Sequence, residues 1–107
     1  MYYYTISHNE LNRYLQKPDT ILVDLRTPEA FYKGHIPGAV NTPYRELLMK
    51  PFSTFNREIV ILYCDRGNQS LLAARELQKR GVTAFSVYGG YSAYRGPIER
   101  TPQQMHS

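Results

Sequence analysis

Strands alternating with helices predict an α/β domain with a mainly parallel sheet and right-handed crossovers. Three observations carry that prediction. Apolar runs rich in β-branched and aromatic residues recur at residues 2–6, 21–25, 59–63 and 84–88. Stretches of strong helix formers, above all residues 70–80, lie between or after them. Glycine and proline punctuate the joins, as in Pro18-Asp19, Gly34, Gly67, Gly81 and Gly89-Gly90.

The first run, residues 2–6, is aromatic and β-prone. Ser7 and Glu10 then stand at capping-box spacing and open a helix to Tyr14 or Leu15, with Leu11, Tyr14 and Leu15 on one core-facing side. Pro18-Asp19 turns the chain into the second strand, residues 21–25, which carries Asp24 near its end and is followed by Arg26. A carboxylate on a buried strand needs a partner. Thr27-Pro28 opens a short helix over residues 29–32. Residues 34–39, with two glycines and a proline, are too broken for a regular element, and Asn41-Thr42-Pro43 repeats the turn chemistry. Residues 44–49 make a short helix and residues 51–57 a connection.

The chain is organised around residues 58–80. Ile59 to Tyr63 reads as a buried strand ending at Cys64, the sole cysteine. Asp65, Arg66, Gly67, Asn68 and Gln69 break the strand, and a helix follows from Ser70 to Arg80, with Leu71, Ala74 and Leu77 on its apolar face and Gly81 as its stop. The thiol therefore sits where a strand meets a helix, a junction that aims backbone N–H groups and the positive end of the helix dipole at an anion. A last strand at 84–88, with Tyr2, Tyr4 and Tyr88 packing into the core, precedes a Gly89-Gly90 tight turn and a short helix over 91–95. In open parallel sheets ligands bind beyond the carboxyl ends of the strands, where Cys64, Asp24, Arg26 and Gly89-Gly90 all fall.

Composition narrows the function classes. The 107 residues suit one domain, a core over about 2–96 and a polar tail over 97–107. The net charge of +4 is dispersed, favouring anionic small molecules or acidic partners and arguing against nucleic acid, which asks for a concentrated basic face. One cysteine and three scattered histidines exclude a disulfide framework and a cysteine-rich zinc site, so no metal or cofactor is expected. With no signal core and no stretch of transmembrane length, the expected setting is cytoplasmic, away from membranes.

The combination Val23-Asp24-Leu25-Arg26, Gly34-His35-Ile36-Pro37-Gly38-Ala39, Cys64-Asp65-Arg66-Gly67-Asn68-Gln69-Ser70 and Gly89-Gly90 resembles the single-domain rhodaneses, the sulfurtransferase family. The motifs stand in the family's order and span residues 21–94. The resemblance implies a five-stranded parallel sheet flanked by helices, with the catalytic cysteine in the loop after the central strand and Cys64 carrying sulfane sulfur as a persulfide. Two positions depart from the pattern: Gln69 stands where the family often has arginine, and Tyr94 where it frequently has tryptophan.

Sulfur transfer needs a thiolate, an anion-stabilising cradle and access for a second thiol. Cys64 is the candidate nucleophile, and Asp65, Arg66, Gly67, Asn68, Gln69 and Ser70 the candidate cradle, acting mainly through backbone N–H groups with Gly67 letting the chain curl inward. The competing reading of Cys64 is a small buried hydrophobe. Arg66 is a candidate for gripping an anionic donor such as thiosulfate, or an exposed loop charge. Asp24, Arg26 and His35 read as structural support; the histidine sits in a glycine–proline turn and is not nominated as a base. Two functions follow: an enzyme moving sulfur from thiosulfate or a persulfide to a thiol acceptor, or a persulfide carrier acting with a protein partner, which Gln69 slightly favours. Phosphatase loops are one residue longer and place arginine where this chain has Ser70, which speaks against phosphate-ester hydrolysis. The oligomeric state is left open.

Overall fold

A computed structural model describes residues 4–55 and 58–101. In chain order its elements are β1 (Thr5–Ile6), α1 (His8–Tyr14), β2 (Thr20–Asp24), α2 (Pro28–Lys33), β3 (Val40–Asn41), α3 (Tyr44–Met49), β4 (Ile59–Tyr63), α4 (Asn68–Lys79), β5 (Thr83–Val87) and α5 (Gly90–Ala93). Among the described residues the strands form one five-stranded sheet in the order β1-β5-β4-β2-β3, every pairing parallel. No described helix is long and apolar enough to cross a membrane.

β4 lies at the centre because it is apolar on both faces. Val60, Leu62 and Cys64 point into a core closed by Leu47 of α3 and Ala73, Ala74 and Leu77 of α4. Ile61 and Tyr63 point the other way, against Ile6, Leu11, Leu22, Ile36 and Val87. Each fully buried aliphatic side chain contributes about 1.5–3 kcal/mol, which makes this strand the least movable platform in the sheet. The helices are set by local chemistry. Ser7 and Glu10 close the expected capping box at 3.1 Å in each direction, and Thr27 caps α2 by accepting Ala30 N–H at 3.3 Å.

Several expectations are corrected. Asn41 belongs to the edge strand β3, paired with Asp24 while Val40 pairs with Val23; two residues are too few to show alternation. Of the described part of the aromatic run, Thr5–Ile6 forms β1 and Tyr4 precedes it, its carbonyl accepting Ser86 N–H, while Tyr2 and Tyr3 lie outside the described residues. α1 ends at Tyr14, which leaves Leu15 39% exposed, and Tyr88 turns out of the sheet at 73% exposure because β5 stops at Val87 to form the Gly89 turn. The connection after α3 contains a 3-10 helix, Phe52–Phe55, while Arg57 lies outside the described residues. The face of α4 turned to the sheet is Ser70, Ala73, Ala74 and Leu77, with Leu71 at its margin. The described residues after Gly96, 97–101, are docked. Glu99 forms an antiparallel bridge with His35 and accepts Gly38 N–H at 3.3 Å, and Thr101 N–H donates to Tyr32 carbonyl.

Candidate active site

Cys64 follows β4 directly, and the chain must reverse within three residues to start α4. Gly67 makes this turn with φ of 99°, a left-handed conformation that favours glycine. α4 therefore begins at Asn68, two residues before the expected start, and Asn68 and Gln69 are its first turn rather than loop. No side chain oxygen caps this helix. The cysteine sulfur does so instead, accepting Gly67 N–H at 3.1 Å and Ser70 N–H at 3.4 Å. Ser70 is the third helical residue, whose N–H an N-cap oxygen commonly accepts. An anionic sulfur here meets two N–H dipoles and the positive helix end together.

Neighbouring strands hold this corner. Leu25 N–H donates to Tyr63 carbonyl at 2.9 Å, tying the end of β2 to the end of β4. On the other side Tyr91 N–H donates to Cys64 carbonyl at 2.8 Å and Ser92 N–H to Asp65 carbonyl at 2.9 Å. Gly90 allows that approach: with φ of 63°, a Cβ there would lie 2.5 Å from the Cys64 carbonyl oxygen. Behind the sulfur, Ser70 Oγ lies 3.5 Å from Sγ and 2.6 Å from Ser86 Oγ of β5.

Asp24 and Arg26 form a buried unit beside the site, and Arg26 Nη1 lies 3.8 Å from Asp65 Oδ1 of the cysteine loop. The Asp24 carboxylate accepts Arg26 Nε–H at 3.1 Å on each oxygen, Nη2–H at 2.8 Å and the Arg26 backbone N–H at 2.8 Å. Arg26 Nη2 also donates to Gly34 carbonyl at 2.6 Å, and its guanidinium lies 4.0 Å over the Tyr91 ring. Burial works against the Arg26 charge, yet the Asp24 hydrogen bonds and charge outweigh it and hold the guanidinium above its usual range. Tyr63 is also pushed above the usual phenol range, first by burial and then by the Asp24 charge. The pair thus locks β2, the turn before Ile36 and α5 together. His35 is remote in role. It is buried, stacks on Phe31 at 3.8 Å, and has Nδ1 2.8 Å from Phe31 carbonyl and Nε2 3.6 Å from Glu99.

The sulfur opens onto a cleft of about 620 Å³. Its floor is Cys64 and its walls include Arg26, Arg45 and Glu46 of α3, and Asp65, Arg66, Asn68 and Gln69. Asp65, Arg66, Asn68 and Gln69 are exposed on the cleft wall. Residues that sequence reasoning missed are Ser86, inside an apolar-looking strand, and the α3 pair Arg45 and Glu46. Ser86 carried a signal in hindsight, a hydroxyl on an otherwise buried strand; Arg45 and Glu46 carried none, since their helix resembles any surface helix. Among the described residues no group of three or more His, Cys, Asp or Glu comes together as a metal site requires.

The chain is 39% identical over 84 residues to the tRNA sulfurtransferase of Desulfurococcus amylolyticus, a match covering 78% of this chain but 16% of that protein. It is 33% identical over 106 residues to thiosulfate sulfurtransferase 16, chloroplastic, of Arabidopsis thaliana, covering 84% of this chain and 82% of that protein. The crystal structure of a rhodanese-like domain protein from Staphylococcus aureus superposes with a TM-score of 0.72 at 27% identity, over 92% of this chain and 98% of that one. The family model of the rhodanese-like domain matches residues 7–96. With the parallel sheet of five strands and the cysteine at the end of its central strand, this match shows that the chain belongs to the rhodanese-like domain family.

Proposed function

We propose that the chain is a sulfurtransferase that moves sulfane sulfur through Cys64. The carrying observation is the sulfur itself: buried at 5% exposure on the floor of an open cleft, it accepts two backbone N–H groups at 3.1 and 3.4 Å from the start of a helix. Those donors favour an anion at this atom, whether thiolate or persulfide. In the first half-reaction the Cys64 thiolate attacks the outer sulfur of thiosulfate. The S–S bond of the donor breaks, a Cys64 S–S bond forms, and sulfite leaves with the electron pair. In the second, an acceptor thiolate attacks the terminal persulfide sulfur, takes it, and returns Cys64 as thiolate. A low-molecular-weight persulfide serves in the first step equally, leaving as its thiolate.

In this reading the Asp65 to Ser70 backbone is the cradle, and Arg66, exposed on the cleft wall, meets the anionic part of the donor. Asp24, Arg26 and His35 are support. The single free thiol suits a reducing, cytoplasmic setting. A second reading, a persulfide carrier served by a protein partner, is favoured by Gln69, which puts a neutral side chain on the cleft wall. Mass spectrometry after incubation with thiosulfate or a persulfide tests the common chemistry: Cys64 gains the mass of one sulfur atom, and Cys64→Ser does not. Unmodified thiol with every donor overturns both readings. Sulfite release with a thiol acceptor then separates turnover from carriage.

A further inference from the structure

The two serines behind the sulfur are the most completely buried hydroxyl groups of the site, with Ser70 at 0% and Ser86 at 1% exposure. Their oxygens are 2.6 Å apart, and either can donate. The allocation of their protons is settled by what else each can reach. Ser70 Oγ has two further neighbours, Gly67 carbonyl at 3.3 Å and Cys64 Sγ at 3.5 Å. Ser86 Oγ has one hydrogen-bond partner among the described residues, Ser70 Oγ. If Ser70 donated to Ser86, the Ser86 proton would be buried with no acceptor, which costs about 1–3 kcal/mol. If Ser86 donates to Ser70, both protons are satisfied.

We infer that Ser86 is a positioning residue for Cys64: by donating to Ser70 Oγ it turns the Ser70 proton toward the cysteine side of the pair and polarises that hydroxyl. With a neutral thiol, S–H donates to Ser70 Oγ and the Ser70 proton rests on Gly67 carbonyl. When the thiol proton leaves to water through the cleft, the Ser70 hydroxyl turns and donates to the thiolate. Only the S–H bond breaks. The sulfur anion then has a third donor beside the Gly67 and Ser70 N–H groups. Donation from Ser86 also polarises the Ser70 hydroxyl and strengthens it as a donor. The role rests on Cys64 being the reactive group of the proposed function, but not on sulfur being its cargo.

The test reads thiol reactivity rather than sulfur transfer. Iodoacetamide alkylation of Cys64 is followed against pH for wild type, Ser86→Ala, Ser70→Ala and the double variant, with folding checked by circular dichroism. The charged groups facing the cleft are Arg26 after β2, Arg45 and Glu46 of α3, and Asp65 and Arg66 of the cysteine loop, and all stay in place. Ser86→Ala is expected to lower the rate at pH 7 about two- to fourfold and to move the profile to higher pH, because the Ser70 hydroxyl loses the donor that orients and polarises it. In the Ser70→Ala background the same change has no further effect, because Ser86 acts through Ser70. An unchanged profile in Ser86→Ala, or an equal drop in both backgrounds, overturns the inference. Ser86→Thr keeps the hydroxyl and is expected to keep the wild-type profile; a profile like that of Ser70→Ala overturns it even if the alanine variant does not fold. Slowed alkylation in a protein that never takes up sulfur leaves Ser86 in its role and removes the sulfur-transfer reading.

Discussion

Replacing Gly90 by alanine sets a methyl carbon 2.5 Å from the Cys64 carbonyl oxygen, 2.7 Å from the Asp65 carbonyl oxygen and 2.8 Å from the Asp65 carbonyl carbon. All three are backbone atoms, so no side chain can swing aside. The residue also sits at φ of 63°, where an L side chain costs about 1–2 kcal/mol. Overpacking against fixed atoms adds about 1–3 kcal/mol, so Gly90→Ala is expected to lose about 2–5 kcal/mol, a large part of the roughly 5–15 kcal/mol that holds a domain folded. Gly81→Ala is the control. It carries the same kind of backbone penalty, φ of 85°, with nothing within 4 Å of the new methyl, and sits far from the cysteine. Urea denaturation of both variants separates the terms: Gly81→Ala loses about 1–2 kcal/mol, and the excess in Gly90→Ala is the clash. The relief available to Gly90→Ala is withdrawal of α5, which breaks the Tyr91 and Ser92 N–H bonds to Cys64 and Asp65 carbonyls. Sulfur uptake at Cys64 should therefore fall with stability in Gly90→Ala and stay near wild type in Gly81→Ala. Equal denaturation midpoints in the two variants, or full sulfur uptake in Gly90→Ala, would refute the packing argument.

Asp24→Asn removes the nearer charge partner of Arg26, a residue 8% exposed, and breaking such a buried pair costs about 3–5 kcal/mol, read as a lower urea midpoint. Tyr63 gives a pH effect at the alkaline end. Its phenol is raised above 10.0 in the fold, so the unfolded chain releases this proton first, and stability is full below pH 10 and declines as pH rises beyond it. Tyr63→Phe should flatten that alkaline limb while costing about 1–3 kcal/mol at neutral pH, because the Ile36 N–H loses the hydroxyl that accepts it at 3.1 Å. An alkaline limb of unchanged slope would show that Tyr63 is not the group titrating.

How much was legible in the chain depends on how far each feature is encoded locally. β4 could be read because five consecutive apolar residues admit few alternatives, and α1 because Ser7 and Glu10 announce its first turn. β3 could not, since Val40 and Asn41 are strand only through pairing with Val23 and Asp24. The start of α4 was misplaced for a specific reason. Asn68 and Gln69 look like loop residues because no oxygen-bearing N-cap precedes them, and the cap is supplied by a cysteine sulfur three residues before the helix-opening glycine. The docking of Glu99 onto His35 was likewise hidden, being a contact between segments 64 residues apart in number that neither composition nor period marks. At the site, Cys64 and its loop were visible because their chemistry is contiguous. Ser86, Arg45 and Glu46 arrive from other elements and become neighbours only through the sheet order.

The charges around the cleft bear on which donor it prefers. Arg26 lines it, but its charge is answered by Asp24 through a buried fork of hydrogen bonds. The other charges lining it, Arg45 and Arg66 against Glu46 and Asp65, sum to zero, and Asp65 Oδ1 lies 3.8 Å from Arg26 Nη1. The attraction for an anion therefore comes from the N–H groups at Sγ, which act at contact range, and not from a cationic funnel acting at a distance. If thiosulfate is the donor, as proposed, its uptake is expected to depend little on salt, because screening acts mainly on exposed charges separated by more than about 8–10 Å. Gln69→Arg breaks the balance. Placed on the same wall, the added guanidinium should raise the second-order rate of sulfite release from thiosulfate about two- to fivefold at low salt, the reach of one exposed charge pair, and that gain should fade as salt is raised. A wild-type rate that already drops steeply with salt would mean that the exposed Arg45 and Arg66 outweigh Glu46 and Asp65 on the cleft wall. An arginine variant no faster than wild type would place residue 69 outside the donor's path and leave the neutral side chain there without consequence for donor choice.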